Sequence, residues 1–367
     1  MKLSCTQENL NKGLSVVGRT TRTQVTLPVL SNILLKTEEG RLKLSATDLE
    51  IGSICYVGAK IETEGAITIP ARLLIDYVMM NNDKKINLTT SDTVLNLESE
   101  RYKAKIKGIE ASEFPLIPSV KEKPILSISP IQIKEAISQV LIAPSLDETK
   151  PVLSGVCLKI LGKEVKLVAT DSFRLAEKTL PLEKEVEKKE VIIPSRTLSE
   201  VSRIISIVNP SSVSIAISTN QILFILDDVQ IISRLIEGSF PDYEPIIPKS
   251  TETEVVLESF DFQNTLKLAN LFAKEVGSNV KLKIEKEKVI IEAISPLIGE
   301  NVSTIPATIQ GPETEITFNA KFLLDVLGVL ASSKINLGIS GKLNPGIIKP
   351  YGKKDYLYLI MPLRTEE

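Results

Sequence analysis

The chain has 367 residues with 44 basic and 46 acidic side chains, no histidine and no tryptophan. That length allows two to four domains at about 100–200 residues each, and 43% apolar with 25% charged residues is ordinary for a globular protein. The missing imidazole excludes Ser-His-Asp, Cys-His and HExxH chemistry. A formal net charge of −2 excludes a generally basic coat, so any contact with nucleic acid needs Lys and Arg concentrated locally.

The start, MKLSCTQENLNK, turns polar too early for a secretory signal. No run approaches the roughly 18 apolar residues that span a bilayer, which leads us to expect a cytoplasmic protein. Cys5, Cys55 and Cys157 are an odd trio without CxxC spacing. They are read as buried thiols, with neither a disulfide framework nor a metal site expected.

Leu10, Leu14 and Val17 step by four and three, the apolar stripe of a helix. Next comes PVLSNILLK at 28–36, and PVLSGVCLK repeats it at 151–159. Placing 28–48 on 151–171 without a gap matches 11 of 21 positions, and both blocks close on Ala-Thr-Asp. The same offset carries the first helix stripe onto Ile133, Ile137 and Val140, and an offset of 252 carries it onto Phe262, Leu266 and Ala269. A second triple follows downstream in AITIPARLLIDYV, VIIPSRTLSEV and EITFNAKFLLDVL, each an apolar strand, a breaker and a helix. Each of these helices has a cation near its start and a carboxylate four residues on: Arg72/Asp76, Arg196/Glu200 and Lys321/Asp325. Read locally, these are i,i+4 ion pairs worth about 0.2–0.5 kcal/mol each. The third copy has diverged, with Ala293-Ile294-Ser295 in place of Ala-Thr-Asp.

Internal repetition outranks local propensity in reading a fold. Pro and charge cluster near 118–123 and 248–252, which sets three units at 1–122, 123–249 and 250–367. Each is about 120 residues of α+β structure, two helices on antiparallel sheet. A triplicated chain suits geometry better than catalysis, since like units joined head to tail form an arc or a ring. Asp48 and Asp171 could imitate a paired-carboxylate site, but they lie in different units, and a strand-end Asp usually caps a turn. No GxxxxGK[ST] or GxGxxG is present to cradle phosphate. The rival to a ring is a triplicated protein-binding scaffold that never meets DNA.

Five fragments in order resemble one family: TLPVLSNILL, VATDSFRLA (168–176), GSFPDYEPIIP (238–248), FNAKFLLDVL (318–327) and YLIMPLR (358–364). Along its whole length the chain is similar to the β sliding clamps of bacterial DNA polymerase III, the processivity factors of DNA replication. The resemblance implies three tandem clamp domains and a head-to-tail homodimer whose six domains ring duplex DNA. Helices would line the hole and sheets the outside. It implies no catalysis, no cofactor and no base readout, and a place in the cytoplasm at the nucleoid. Partners would be DNA polymerase III, the clamp loader, other polymerases and repair proteins, engaged through short peptides.

Carried over by position, the resemblance gives DNA-facing cations at Lys12, Arg72, Lys134, Arg196, Arg203, Lys267, Lys274 and Lys321. Helical segments 7–19, 71–81, 130–142, 195–206, 261–275 and 320–331 hold nine cations and seven carboxylates, an excess of the right sign but small. In two loops that touch DNA in the family, Arg22 and Lys150 are the candidates, although Asp147 and Glu148 would repel phosphate. The peptide pocket would be walled by Leu153, Thr170, Ser172, Phe173, Arg174, Leu175, Pro241, Ile246, Leu343, Pro345, Ile360, Met361, Pro362, Leu363 and Arg364. Phe173 stands where the family often has histidine and Pro345 where serine is common, while the tail 365–367 has no assigned role. Leu271 and Phe272 lie off the core stripe of their helix. The resemblance places them at the dimer seam, with Ile106 as their contact in the other subunit.

Overall fold

A computed structural model describes residues 1–21, 27–147 and 149–363. Arg22, Glu148, Arg364 and the tail 365–367 lie outside the described residues. The chain divides into two compact units, Met1–Lys134 with Arg196–Leu235, and Glu135–Ser195 with Ile236–Glu367. This division runs through the middle repeat, because the strands of neighbouring repeats pair into shared sheets.

The first unit holds an antiparallel eight-stranded sheet. Its order is Leu126–Ile128, Val213–Ile217, Gln221–Leu226, Val229–Arg234, Ile51–Val57, Arg41–Thr47, Asn32–Glu38 and Ala66–Pro70. Its centre joins two repeats, Val229 opposite Cys55 and Ser233 opposite Ile51. A five-stranded sheet in the same unit ends on the edge strand Lys103–Lys107.

The second unit repeats the plan with nine strands. Arg174–Pro181 of one repeat pairs with Tyr356–Ile360 of the next, Lys178 opposite Tyr356 and Arg174 opposite Ile360. Its four-stranded sheet ends on the edge strand Gly299–Pro306. One further hydrogen bond marks the triplication: Ile109 N donates to Thr68 O at 3.0 Å, Ile236 N to Ile192 O at 2.9 Å, and Leu363 N to Thr317 O at 2.8 Å.

Six α-helices are present among the described residues: α1 (Gln7–Val17), α2 (Ala71–Met80), α3 (Pro130–Val140), α4 (Ser195–Val208), α5 (Ser259–Ala273) and α6 (Ala320–Val329). The three apolar stripes read from the sequence are all buried: Leu10, Leu14 and Val17; Ile133, Ile137 and Val140; Phe262, Leu266 and Ala269. Helix α1 packs on α2 and the strand Ile51–Val57, and α5 packs on α6. The Thr6 hydroxyl caps α1 by accepting from Asn9 N at 3.2 Å. Gly13 permits close seating, since a Cβ there would lie 2.5 Å from Val57 Cγ2. The breakers Pro70 and Asn319 sit at the N-caps of α2 and α6. All three cysteines are free and buried, and burial pushes each thiol up to about 12.

Candidate functional site

The two Ala-Thr-Asp motifs end strands and build the same turn. Asp48 Oδ1 accepts from Glu50 N at 3.0 Å and Ile51 N at 2.8 Å. Asp171 Oδ1 accepts from Phe173 N at 2.9 Å and Arg174 N at 3.0 Å. The residue after each Asp is left-handed, Leu49 with φ 75° and Ser172 with φ 80°, which the double capping holds in place against its steric cost. In each turn the third residue's carbonyl ties down the strand of the following repeat: Arg234 N donates to Glu50 O at 3.1 Å, and Met361 N to Phe173 O at 2.8 Å. Both carboxylates are occupied in capping, which removes the paired-carboxylate reading. Ser295 takes the third position and accepts from Leu297 N at 3.4 Å.

The i,i+4 pairs expected on the second helices form only once. Arg72 and Asp76 stand at 4.0 Å on an exposed face. Arg196 instead donates to the buried Asp48, and Asp325 accepts from Arg174 NH1 at 2.5 Å. A turn thus finds its ionic partner on the helix of the next repeat, with the polarity swapped between the two joints. Burial alone would push the Asp48 carboxyl up, but the Ile51 N–H, the Arg196 guanidinium and the Glu50 N–H outweigh it and hold Asp48 below the usual carboxylate range.

Most of the expected peptide-pocket residues come together in the second unit. The 170–175 turn and the 360–363 segment lie side by side through the Arg174–Ile360 and Leu175–Leu359 pairings, and Gly346 opposite Ile360 brings in 343–345. Phe173, Ile246, Leu343 and Met361 are exposed apolar side chains around this place. Thr170, Leu175 and Ile360 are buried, while Leu153, Pro345, Pro362 and Leu363 are half-buried and Ser172 and Pro241 exposed. Leu175 also belongs to a buried cluster with Cys157, Val168, Ile192, Phe240, Tyr243 and Leu359. Sequence reasoning did not single out Phe240, Tyr243 and Leu359, which pack with Leu175 there. The signal was there in the alternation of LYLI, which sends Leu359 to the opposite face from Tyr358. Tyr243 is anchored by its hydroxyl, which donates to Glu177 Oε2 at 2.6 Å.

Arg174 needs correction. Carried over as part of the pocket wall, it points to the other side of the strand from Leu175. There its Nε donates to Asp171 Oδ2 at 2.9 Å, NH1 to Asp325, and its guanidinium covers the Phe322 ring at 4.3 Å. Only 12% of the side chain is exposed.

Among the expected DNA-facing cations, Lys12, Arg72, Lys134, Lys150, Lys267, Lys274 and Lys321 are exposed. Arg196 is half-exposed and tied to Asp48. Arg203 is a second correction: it is 18% exposed and donates to Ser15 O at 2.9 Å and Val16 O at 2.8 Å, with Glu200 on its other flank. It closes the carbonyl end of α1, where a cation is favoured by the helix dipole, and most of its donors are already engaged there. At the expected seam Leu271 is 66% exposed, and Leu268 at 55% joins it on the face opposite the core stripe. Phe272 is half-buried, and Ile106 sits on the right edge strand but is only 5% exposed within its own chain.

Family models for the N-terminal, central and C-terminal domains of the DNA polymerase III beta subunit match residues 1–118, 127–242 and 244–364. The chain belongs to the β sliding-clamp family. It is 32% identical to the beta sliding clamp of Staphylococcus epidermidis over 353 residues, 93% of each chain, and 31% identical to that of Staphylococcus aureus over the same share. The sliding clamp of Bacillus subtilis superposes with a TM-score of 0.95 at 28% identity, over 100% of both chains. The DNA polymerase III beta subunit of Thermotoga maritima gives 0.94 at 25%, also over 100% of both. The protein is therefore a sliding clamp of three tandem clamp domains, a non-catalytic factor that gives DNA polymerase its processivity. Among the described residues no group of His, Cys, Asp and Glu is arranged to hold a metal ion, and no helix is long and apolar enough to cross a membrane.

Proposed function

We propose that two copies of this clamp close head to tail into a ring around duplex DNA, with repeats bounded near 122 and 249. One observation carries this reading. After each capped turn runs a strand that pairs with the last strand of the next repeat, Ile51–Val57 with Val229–Arg234 and Arg174–Pro181 with Tyr356–Ile360. The third such strand, Gly299–Pro306, is an open edge, as is the last strand of the first repeat, Lys103–Lys107. Bare edges invite pairing, and a second copy supplies what each lacks. Transferring the register of the internal joints sets Tyr102 opposite Ser303, Lys103 opposite Val302 and Lys105 opposite Glu300. Opposite charges across a strand pair are favourable, and the exposed Ile294, Ile298 and Val302 flank the same edge.

The exposed lysines of the helices serve weak, sequence-independent phosphate attraction, which falls steeply with salt and permits sliding. The pocket around Phe173, Ile246, Leu343 and Met361 receives short extended peptides of the polymerase, the clamp loader and repair proteins in the cytoplasm. Exposed apolar anchors beside a packed cluster, with an adaptable methionine, suit one or two apolar side chains of a partner. Met361→Ala with Leu363→Ala is expected to abolish binding of a labelled polymerase III peptide while the ring still loads on DNA. Unchanged affinity in that titration contradicts the pocket.

A further inference from the structure

The pocket wall depends on a carboxylate that lies outside it. Asp325 stands on α6, 45% exposed, and is bound to Arg174 NH1. Arg174 Nε holds Asp171 Oδ2, and Asp171 Oδ1 caps the amides of Phe173 and Arg174. Thr170 Oγ1 closes the same turn, donating to Arg174 O at 2.7 Å and accepting from Ser172 N at 3.2 Å. The turn carries Phe173, 61% exposed, and its carbonyl accepts from Met361 N. A chain of charge-assisted bonds thus runs from a helix surface to the backbone of the Phe173 turn, whose carbonyl in turn holds the Met361 backbone.

We infer that Asp325 is a positioning residue for the peptide pocket, acting through Arg174 and Asp171 on the Phe173 turn; this rests on the pocket reading above. The left-handed Ser172 makes the turn costly to hold, and the second oxygen of the Asp171 carboxylate is held by Arg174. Arg174 is aimed in turn by Asp325 and the Phe322 ring. The corresponding turn of the first unit is built differently, its Asp48 reaching the helix-borne Arg196 directly. In the second unit an arginine is interposed, so the helix carboxylate becomes part of the pocket's support. Removing it takes away one of the contacts that aim Arg174, leaving Asp171 and the Phe322 ring to hold it, and lets the turn populate other conformations more often. Apparent affinity falls in proportion to the fraction of competent turns.

The test uses full-length protein and the labelled polymerase III peptide, with backbone amide exchange followed in parallel. Asp325→Asn is expected to weaken binding about five- to ten-fold by this population argument, and to speed exchange of the Phe173 and Arg174 amides. Asp325→Glu restores both. Asp76→Asn, at the corresponding place on α2, changes neither. Equal affinity and equal exchange in Asp325→Asn overturn the inference while leaving the pocket intact. Wild-type protein that fails to bind the peptide overturns the pocket itself, and the inference with it.

Discussion

Replacing Leu268 and Leu271 with alanine tests how the ring closes. Each substitution removes three carbons, at about 0.8 kcal/mol per buried carbon. Leu268 is 55% exposed in the single chain, whereas its counterparts Val16 and Gln139, at internal joints, are 0% and 2% exposed. Assembly should therefore cover nearly all of that exposed share, a loss of about 1.3 kcal/mol on truncation. Leu271 is 66% exposed, and its counterpart Ile142 stays half-buried, which gives about 0.8 kcal/mol more. Two seams per ring then lose about 4 kcal/mol, roughly a thousand-fold in dimer dissociation constant at 1.4 kcal/mol per decade. Sedimentation velocity over a dilution series reads this directly. Phe260→Ala is the control: Phe260 is 72% exposed, but its counterpart Ile131 remains 78% exposed, so dimerisation should not change. A double variant that dissociates like the wild type, or a Phe260→Ala that dissociates equally badly, refutes the seam.

Two further predictions concern the joints within the chain. Asp48→Asn strips Arg196 of its carboxylate and should lower stability by about 1–2 kcal/mol at pH 7, discounted because Arg196 is half-exposed. The folded carboxyl lies below its ordinary value, so its contribution is complete above about pH 4 and vanishes as pH falls through the folded value. Urea midpoints of wild type and variant should converge below about pH 4, and a gap that persists into strong acid contradicts the assignment. In the second unit Lys178, 4% exposed, pairs with Asp355 at 2.7 Å and Glu135 at 3.6 Å. Asp355→Asn leaves that buried ammonium underpaired and should cost about 2–4 kcal/mol, again read from urea midpoints; an unshifted midpoint rules this out.

Much of the architecture was legible because it was written three times. Helix stripes such as Leu10/Leu14/Val17 depend on local periodicity, and the 28–48 and 151–171 echo marked the repeat and its two strand-end aspartates. Ion-pair partners were not legible: Arg196 chose Asp48 and Asp325 chose Arg174, residues 148 and 151 positions away. Nothing in an i,i+4 pattern reveals that a distant, buried carboxylate competes for the same guanidinium. Arg203 misled for a related reason, since a helix-surface cation and a cation closing another helix look alike in one dimension. The residues proposed for the pocket's rim came from the family resemblance, while the buried cluster of Phe240, Tyr243 and Leu359 beside Leu175 emerges only once strand faces are assigned. The open edges Lys103–Lys107 and Gly299–Pro306 needed the sheet order, which no local signal carries.

Encirclement is the claim on which the rest depends, and retention on DNA of different topology measures it. Loaded onto a nicked circular plasmid and passed through a sizing column in moderate salt, the clamp should co-elute with the DNA. A single restriction cut should release it, because only a threaded ring slides off free ends. Equal retention on circular and linear DNA, or none on either, would contradict a ring closed around the duplex.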